Sequence, residues 1–352
     1  MATMKHSFGS DNHSGVHPLI MKALVEENNG FRASYGADDY TLSVLEKLEK
    51  LLGDNCKALF VLNGTGANVV ALAPFVKSFN SILAPATAHI NVDECGAADK
   101  FTSAKIIPLE HLQGKVSVEI VKRAFVDCGD QHRNQPNILS ISQPTELGTL
   151  YTPEEIKALA DLMHDHEGYL HIDGSRISNA AAALKLPVKA LTADCGADSL
   201  SFGGTKNGLL IGEAVVIFNS EGRNRQMAEN LCYIRKQATQ LYSKNRFIAA
   251  QFNAYLSDNL YLTMAEHSNS MAKYLAEQLS GFNCIEISKR VESNAVFATM
   301  PQSLSERLRM EYYFYIWDNS INEARFMCSF NTRKEDIDQF ICSIKRILDF
   351  GI

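Results

Sequence analysis

Through the first two-thirds of the chain, short apolar runs alternate with stretches whose apolar residues recur every three or four positions. The first spacing is that of buried strands, the second that of helices covering them. Residues 42–52 carry apolar side chains at helical spacing and stop at Gly53, a helix end. Residues 58–62 form a short apolar run, followed by the turn Asn63-Gly64-Thr65-Gly66 and a helical stretch over 67–73. Residues 81–84, 104–108, 137–142, 169–172 and 199–202 read as further buried strands, with helices such as 152–164 between several of them. The run 214–218 follows Lys206 too closely for a helical crossover, so it is expected to return antiparallel. The pattern predicts an α/β fold with a mainly parallel, seven-stranded sheet covered on both faces and ligands at the carboxyl ends of its strands.

From residue 245 the rhythm changes to long helices, short strands near 284–287 and 295–300, and a final helix over 334–350. We expect a large domain of residues 1–245, including the N-terminal segment, and a small α+β C-terminal domain of residues 246–352. Residues 242–260 read as a helix bridging the two. A chain of 352 residues exceeds what one core usually supports, in line with that division.

Composition narrows the function. A formal net charge of −6 supplies no basic footprint, so no nucleic-acid partner is expected. No apolar run reaches the length of a membrane span, and the start of the chain lacks the apolar core of a secretion signal. The 8 cysteines are scattered without metal-like spacing. They read as reduced thiols in a cytoplasmic protein that binds no metal.

Two segments carry candidate chemistry. In Ser201-Phe202-Gly203-Gly204-Thr205-Lys206-Asn207-Gly208 an apolar strand ends in a glycine-rich turn bearing one lysine, where a cofactor can approach closely enough for a Schiff base. In Tyr169-Leu170-His171-Ile172-Asp173-Gly174-Ser175-Arg176 a strand ends in an aspartate, the partner a pyridinium nitrogen needs. Taken singly, each has a plainer reading as a solvated loop charge or a turn residue. The pair reads as a pyridoxal phosphate site. Gly64, Thr65 and Gly66 then offer a helix N-terminus for the phosphate, although glycine-rich turns also occur without any ligand.

In order along nearly the whole chain stand Gly9-Ser10-Asp11-Asn12, Tyr35-Gly36-Ala37-Asp38-Asp39-Tyr40-Thr41, Asn63-Gly64-Thr65-Gly66-Ala67-Asn68 and His89 with Asp93-Glu94-Cys95-Gly96. They are followed by Gln143-Pro144-Thr145-Glu146-Leu147-Gly148, the Asp173 and Lys206 segments, and Ala324-Arg325-Phe326-Met327. This series resembles the threonine aldolase family, pyridoxal-phosphate enzymes of fold type I, and especially its bacterial low-specificity and phenylserine-type branch. The resemblance implies retro-aldol cleavage of L-threonine, L-allo-threonine or a related β-hydroxy-α-amino acid to glycine and an aldehyde. An alternative on the same cofactor is a β-eliminating lyase, and a catalytically silent scaffold serving as an interaction protein is a second.

The resemblance also implies residue roles. Lys206 carries pyridoxal 5′-phosphate, Asp173 partners the ring nitrogen, and His89 stacks on the ring and reaches the substrate hydroxyl. Arg176, Arg325 and Ser10 hold the substrate carboxylate. Lys236 and Lys244, in the basic segment 235–246, approach the phosphate from a neighbouring subunit, so a homodimer or homotetramer with shared sites is expected. Plainer readings are a solvated helix face for the lysines, a surface ion pair for Arg176 and a domain-interface contact for Arg325. One departure is Glu146, which stands where many threonine aldolases carry a histidine. A glutamate can take the same proton. The base is therefore left between His89 and Glu146, and with it the preference for threo or erythro substrates.

Overall fold

A computed structural model describes residues 6–349. Its strands, in chain order, are β1 His6–Ser7, β2 Cys56–Val61, β3 Asn80–Pro85, β4 Lys105–Leu109, β5 Gln135–Ser142, β6 Tyr169–Gly174 and β7 Ser199–Phe202. There follow β8 Glu213–Phe218, β9 Glu286–Ile287, β10 Ala295–Thr299, β11 Tyr312–Tyr313, β12 Tyr315–Asp318 and β13 Glu323–Met327. β2 to β8 form a 7-stranded sheet in the order β2-β8-β7-β6-β5-β3-β4. β8 alone runs against its neighbours, pairing antiparallel with both β2 and β7. The parallel sheet and its one returning strand are as the spacing predicts.

Alternation along the strands divides the interior into two layers. Ala58, Phe60, Leu139, Ile141, Leu170, Ile172, Leu200 and Phe202 enter one core, under the helices Asp39–Leu52, Pro153–Asp165 and Ile177–Leu184. Leu59, Val61, Ile82, Ala84, Val215 and Ile217 enter the other, under the helices Gly64–Leu72 and Arg225–Gln237. Local signals set the helix starts. Asp38 accepts the Thr41 amide at 2.7 Å, and Thr152 with Glu155 forms a capping box.

A 4-stranded sheet, β12-β13-β10-β9, forms a separate core with the helix Lys334–Asp349. Phe350, the expected end of that helix, lies outside the described residues. Two features cut across the expected boundary at residues 245 and 246. The helix Arg246–Leu256 contributes Ile248, Phe252 and Tyr255 to the larger core, so the smaller core begins only at Ala272, within the helix Leu260–Leu279. At the other end of the chain, β1 pairs with β11 and Phe8 is buried in the smaller core. The expected single bridging helix over 242–260 is instead Arg246–Leu256, broken from its successor where Asp258 and Asn259 take φ of 50° and 53°.

Candidate active site

Asp173, Phe202, Val61, Pro85 and Ser142 end or nearly end strands at one edge of the large sheet, so the segments that follow them converge there. Among them lies a cavity of about 190 Å³ lined by Lys206, Asp173, His89, Glu94, Asn68 and Thr65, among others. This is the carboxyl edge at which open α/β sheets bind ligands.

The lysine turn is built by close backbone approach. Gly203 donates its N–H to Gly174 O at 3.0 Å, and a Cβ on Gly203 would lie 2.1 Å from Ser175 O. Only glycine fits there. Asn207 donates to the Tyr255 hydroxyl and to Tyr261 O, both at 2.9 Å, so the helix Arg246–Leu256 braces the turn. Lys206 Nζ reaches the cavity with Ser175 Oγ 3.4 Å away.

Asp173 is buried, and both its oxygens accept hydrogen bonds: Oδ1 from Ser175 N at 2.9 Å and Oδ2 from Asn68 Nδ2 at 2.9 Å. Burial opposes its charge, but attraction to Lys206 and the Asn68 bond outweigh that and hold the carboxyl below the ordinary range. Asn68 also donates to Glu94 Oε1 at 2.8 Å, and the same oxygen lies 2.8 Å from His89 Nδ1. The Glu94 bond raises the His89 pKa against the opposing effects of burial and Lys206.

At the second glycine-rich turn, the Gly66 N–H is taken by the Asn63 side chain at 2.8 Å, and a Cβ on Gly66 would meet Gln240 Cδ at 2.2 Å. Gly66 is thus a packing requirement under Gln240 rather than an open anion donor, and it does not line the cavity. Gly64 and Thr65, which do, are the helix-end residues whose N–H groups precede the first intrahelical partners.

Beyond the cavity, Arg176 forms a buried two-bond pair with Asp11, at 2.6 Å from Nε and 2.9 Å from Nη2. This replaces the surface ion pair entertained from the sequence. Burial opposes the Asp11 charge, yet the Arg176 pair prevails and its pKa is lowered; Asn294 adds a bond at 3.2 Å. Arg325 has no carboxylate partner among the described residues. Its guanidinium lies 4.6 Å from the Trp317 ring centre, its Nη2 is 3.4 Å from Gly9 O, and its Nε is buried without a partner. Burial and the like charge of Arg176 lower its pKa. Glu146, half-buried, makes no hydrogen bond or ion pair among the described residues, but its charge is felt at His89, Arg176 and Arg325. Ser10 Oγ accepts the Asn12 amide at 3.2 Å, next to the carbonyl that Arg325 approaches.

Comparison with known proteins now bears on this geometry. The profile of the beta-eliminating lyase family matches residues 7–303. The chain belongs to the beta-eliminating lyase family. Proteins named low specificity L-threonine aldolase from Pseudomonas sp. (strain NCIMB 10558) and Pseudomonas aeruginosa are each 35% identical to it, with 99% of both chains covered. A solved structure of a threonine aldolase from Leishmania major superposes with a TM-score of 0.90 at 26% identity, covering 97% of this chain and 99% of the other. Family membership and the fold-type-I architecture therefore agree.

Lys236 and Lys244 are exposed and do not line the cavity of their own chain; Lys236 Nζ stands 5.3 Å from the Tyr35 ring centre. Three contributors carry no role in the sequence reading: Asn68, Glu94 and Glu213. Glu213 lines the cavity and accepts the Gly204 amide, and burial raises its pKa. Their signals are faint. Glu213 is an acid opening an otherwise apolar strand, and polar residues alternate with apolar ones in Ser140-Ile141-Ser142, His171-Ile172-Asp173 and Ser199-Leu200-Ser201, marking the sheet face beneath Asn68.

Proposed function

We propose that this protein cleaves the Cα–Cβ bond of L-threonine, L-allo-threonine or a related β-hydroxy-α-amino acid, giving glycine and an aldehyde, with pyridoxal 5′-phosphate in the cavity. The observation that carries the reading is the meeting of Lys206, Asp173 and His89 on that one cavity. The donor set fits the cofactor. An amine stands near a buried, ionised carboxylate, and Gly64 and Thr65 offer backbone donors to a phosphate. When bound, pyridoxal phosphate supplies the electron sink for the charge left at Cα.

The chain's own groups do the rest. Lys206 Nζ would be the group that holds the cofactor, since it is the amine that lines the cavity. Asp173, whose depressed pKa keeps it anionic, would favour a proton on the cofactor's ring nitrogen. Arg325 and the edge of Arg176 that Asp11 leaves free hold the substrate carboxylate, beside Ser10. That anchoring orients the bond to be broken. His89 Nε2 takes the hydroxyl proton, with Glu146 as the alternative acceptor.

We further propose a homodimer or homotetramer with shared sites, in which segment 235–246 lends Lys236 or Lys244 to a neighbouring phosphate. Supporting this, Val25 is 69% and Phe31 106% exposed, and the loop holding Tyr35 is bonded to Ser243 O at 2.8 Å. A fully active monomer in sedimentation would refute it. The free state of all eight cysteines supports a cytoplasmic location. Among the described residues no helix is long and apolar enough to cross a membrane.

The test of the whole reading is Lys206→Ala, which should lose nearly all turnover and the borohydride-reducible cofactor linkage. Retention of that linkage at the wild-type level would sink the assignment. Product analysis separates cleavage from elimination, since glycine with an aldehyde marks the first and pyruvate with ammonia the second.

A further inference from the structure

Glu94 belongs to no step described so far, yet its side chain is fully buried at the cavity wall. Its Oε1 is shared at 2.8 Å by His89 Nδ1 and by Asn68 Nδ2, and Asn68 Nδ2 also donates to Asp173 Oδ2 at 2.9 Å. A carboxylate is only an acceptor, so His89 must present a proton at Nδ1. In the neutral ring the lone pair is then left on Nε2, which has no partner among the described residues. The amide orientation of Asn68 follows from the same logic, because its oxygen would be repelled by both carboxylates.

We propose that Glu94 is a positioning residue for the cleavage step, fixing the tautomer and direction of His89 so that Nε2 is the proton acceptor, while Asn68 locks this pair to Asp173. This rests on the reading of His89 as the base. It parallels the way outer carboxylates fix the tautomer of functional histidines elsewhere. Other charged groups also face His89: Glu146 from its loop, Asp173 from β6 and Lys206 from its turn. Among the described residues, only Glu94 lies within hydrogen-bonding distance of the ring.

The test uses Glu94→Gln in the holoenzyme, a change that keeps size and an acceptor for Asn68 but removes the charge. Two readouts are needed. The first is the pH titration of ¹⁵N-labelled histidine, with the His89 signal identified by its loss in His89→Phe. The second is the pH profile of threonine cleavage. We expect the His89 titration to move to lower pH, because the amide oxygen can still accept the Nδ1 proton but no longer supplies the charge that favours the protonated ring. Cleavage should fall roughly 10–100-fold in kcat with little change in KM, a loss typical of outer partners. The acid limb of the profile should move to lower pH in step. On a His89→Phe background, Glu94→Gln should cost less than about twofold more, because the two act as one unit.

An unmoved His89 titration, or full additivity on that background, overturns the proposal. A titration that moves while the cleavage profile stays put would overturn the reading of His89 as the base, and with it the part of Glu94 in the reaction. Should Glu94→Gln not fold, Glu94→Asp retains the charge but withdraws it by one methylene, and a wild-type tautomer and kcat there would equally overturn it.

Discussion

Two histidines lie within the electrostatic reach of Asp173, and their surroundings give them opposite characters. His89 borders the cavity, keeps Nδ1 on the Glu94 carboxylate, and has its pKa raised by that bond. His171 is fully buried in β6 between Ser140 Oγ at 2.8 Å and Ser201 Oγ at 3.1 Å, and burial pushes its pKa down to about 4. Hydroxyls satisfy an imidazole without stabilising its charge, whereas a carboxylate does both. The first ring therefore holds a proton more readily than a free imidazole does. The second is a neutral strap across β5, β6 and β7, which supports the strand end bearing Asp173 without entering the cavity.

The largest effect that would separate the two rings is on turnover. His89→Phe should keep cofactor binding but cut cleavage by roughly 10²–10⁴-fold, the usual loss of a general base. His171→Gln should leave kcat/KM within a few-fold. Equal losses in the two variants would erase the distinction. Next comes the acid response of stability. The folded pKa of His171 lies below its unfolded value of about 6.5, so its neutral form contributes stability that is full above that pH and lost as pH falls towards about 4. The contribution is on the order of 3 kcal/mol, and denaturant unfolding of His171→Gln should lack this part of the acid slope. At pH 8 the same substitution should cost about 1–3 kcal/mol for two disturbed buried hydrogen bonds, a difference read from the denaturation midpoint. The smallest effect expected is that of Glu146→Gln, under about tenfold in kcat, because Glu146 acts on His89 only through space. A loss there as large as that of His89→Phe would transfer the base to Glu146.

The fold was largely legible because buried strands and their covering helices impose periods of two and about 3.6 on any sequence that forms them. Every strand of the large sheet, including the reversal of β8, follows from such runs and from the short connection after Lys206. β12 and β13 were not expected. Residues 312–317 do form an aromatic and aliphatic run, but it holds β11, a break and β12, whose residues are exposed or half-buried, and Arg325 interrupts the run of β13. The helix Arg246–Leu256 was readable as a helix but not as part of the larger core, since its partners in Pro18–Glu27 and Asp39–Leu52 lie some two hundred residues earlier.

The same division runs through the site. Sequence by itself determined the chemical groups at the strand ends: the lysine after Gly203 and Gly204, the aspartate after Ile172, and the glycines that permit close backbone approach. These depend on local geometry, which neighbouring residues set. Tertiary structure decided the pairings. Arg176 was given to Asp11, Arg325 was left without a carboxylate among the described residues, Gly66 was closed off by Gln240, and Glu94 was joined to both His89 and Asn68. Whether a buried charge is matched or left open depends on which side chains the packed sheet brings within about 3 Å of it. Residues distant along the chain make those contacts, and no local pattern records them.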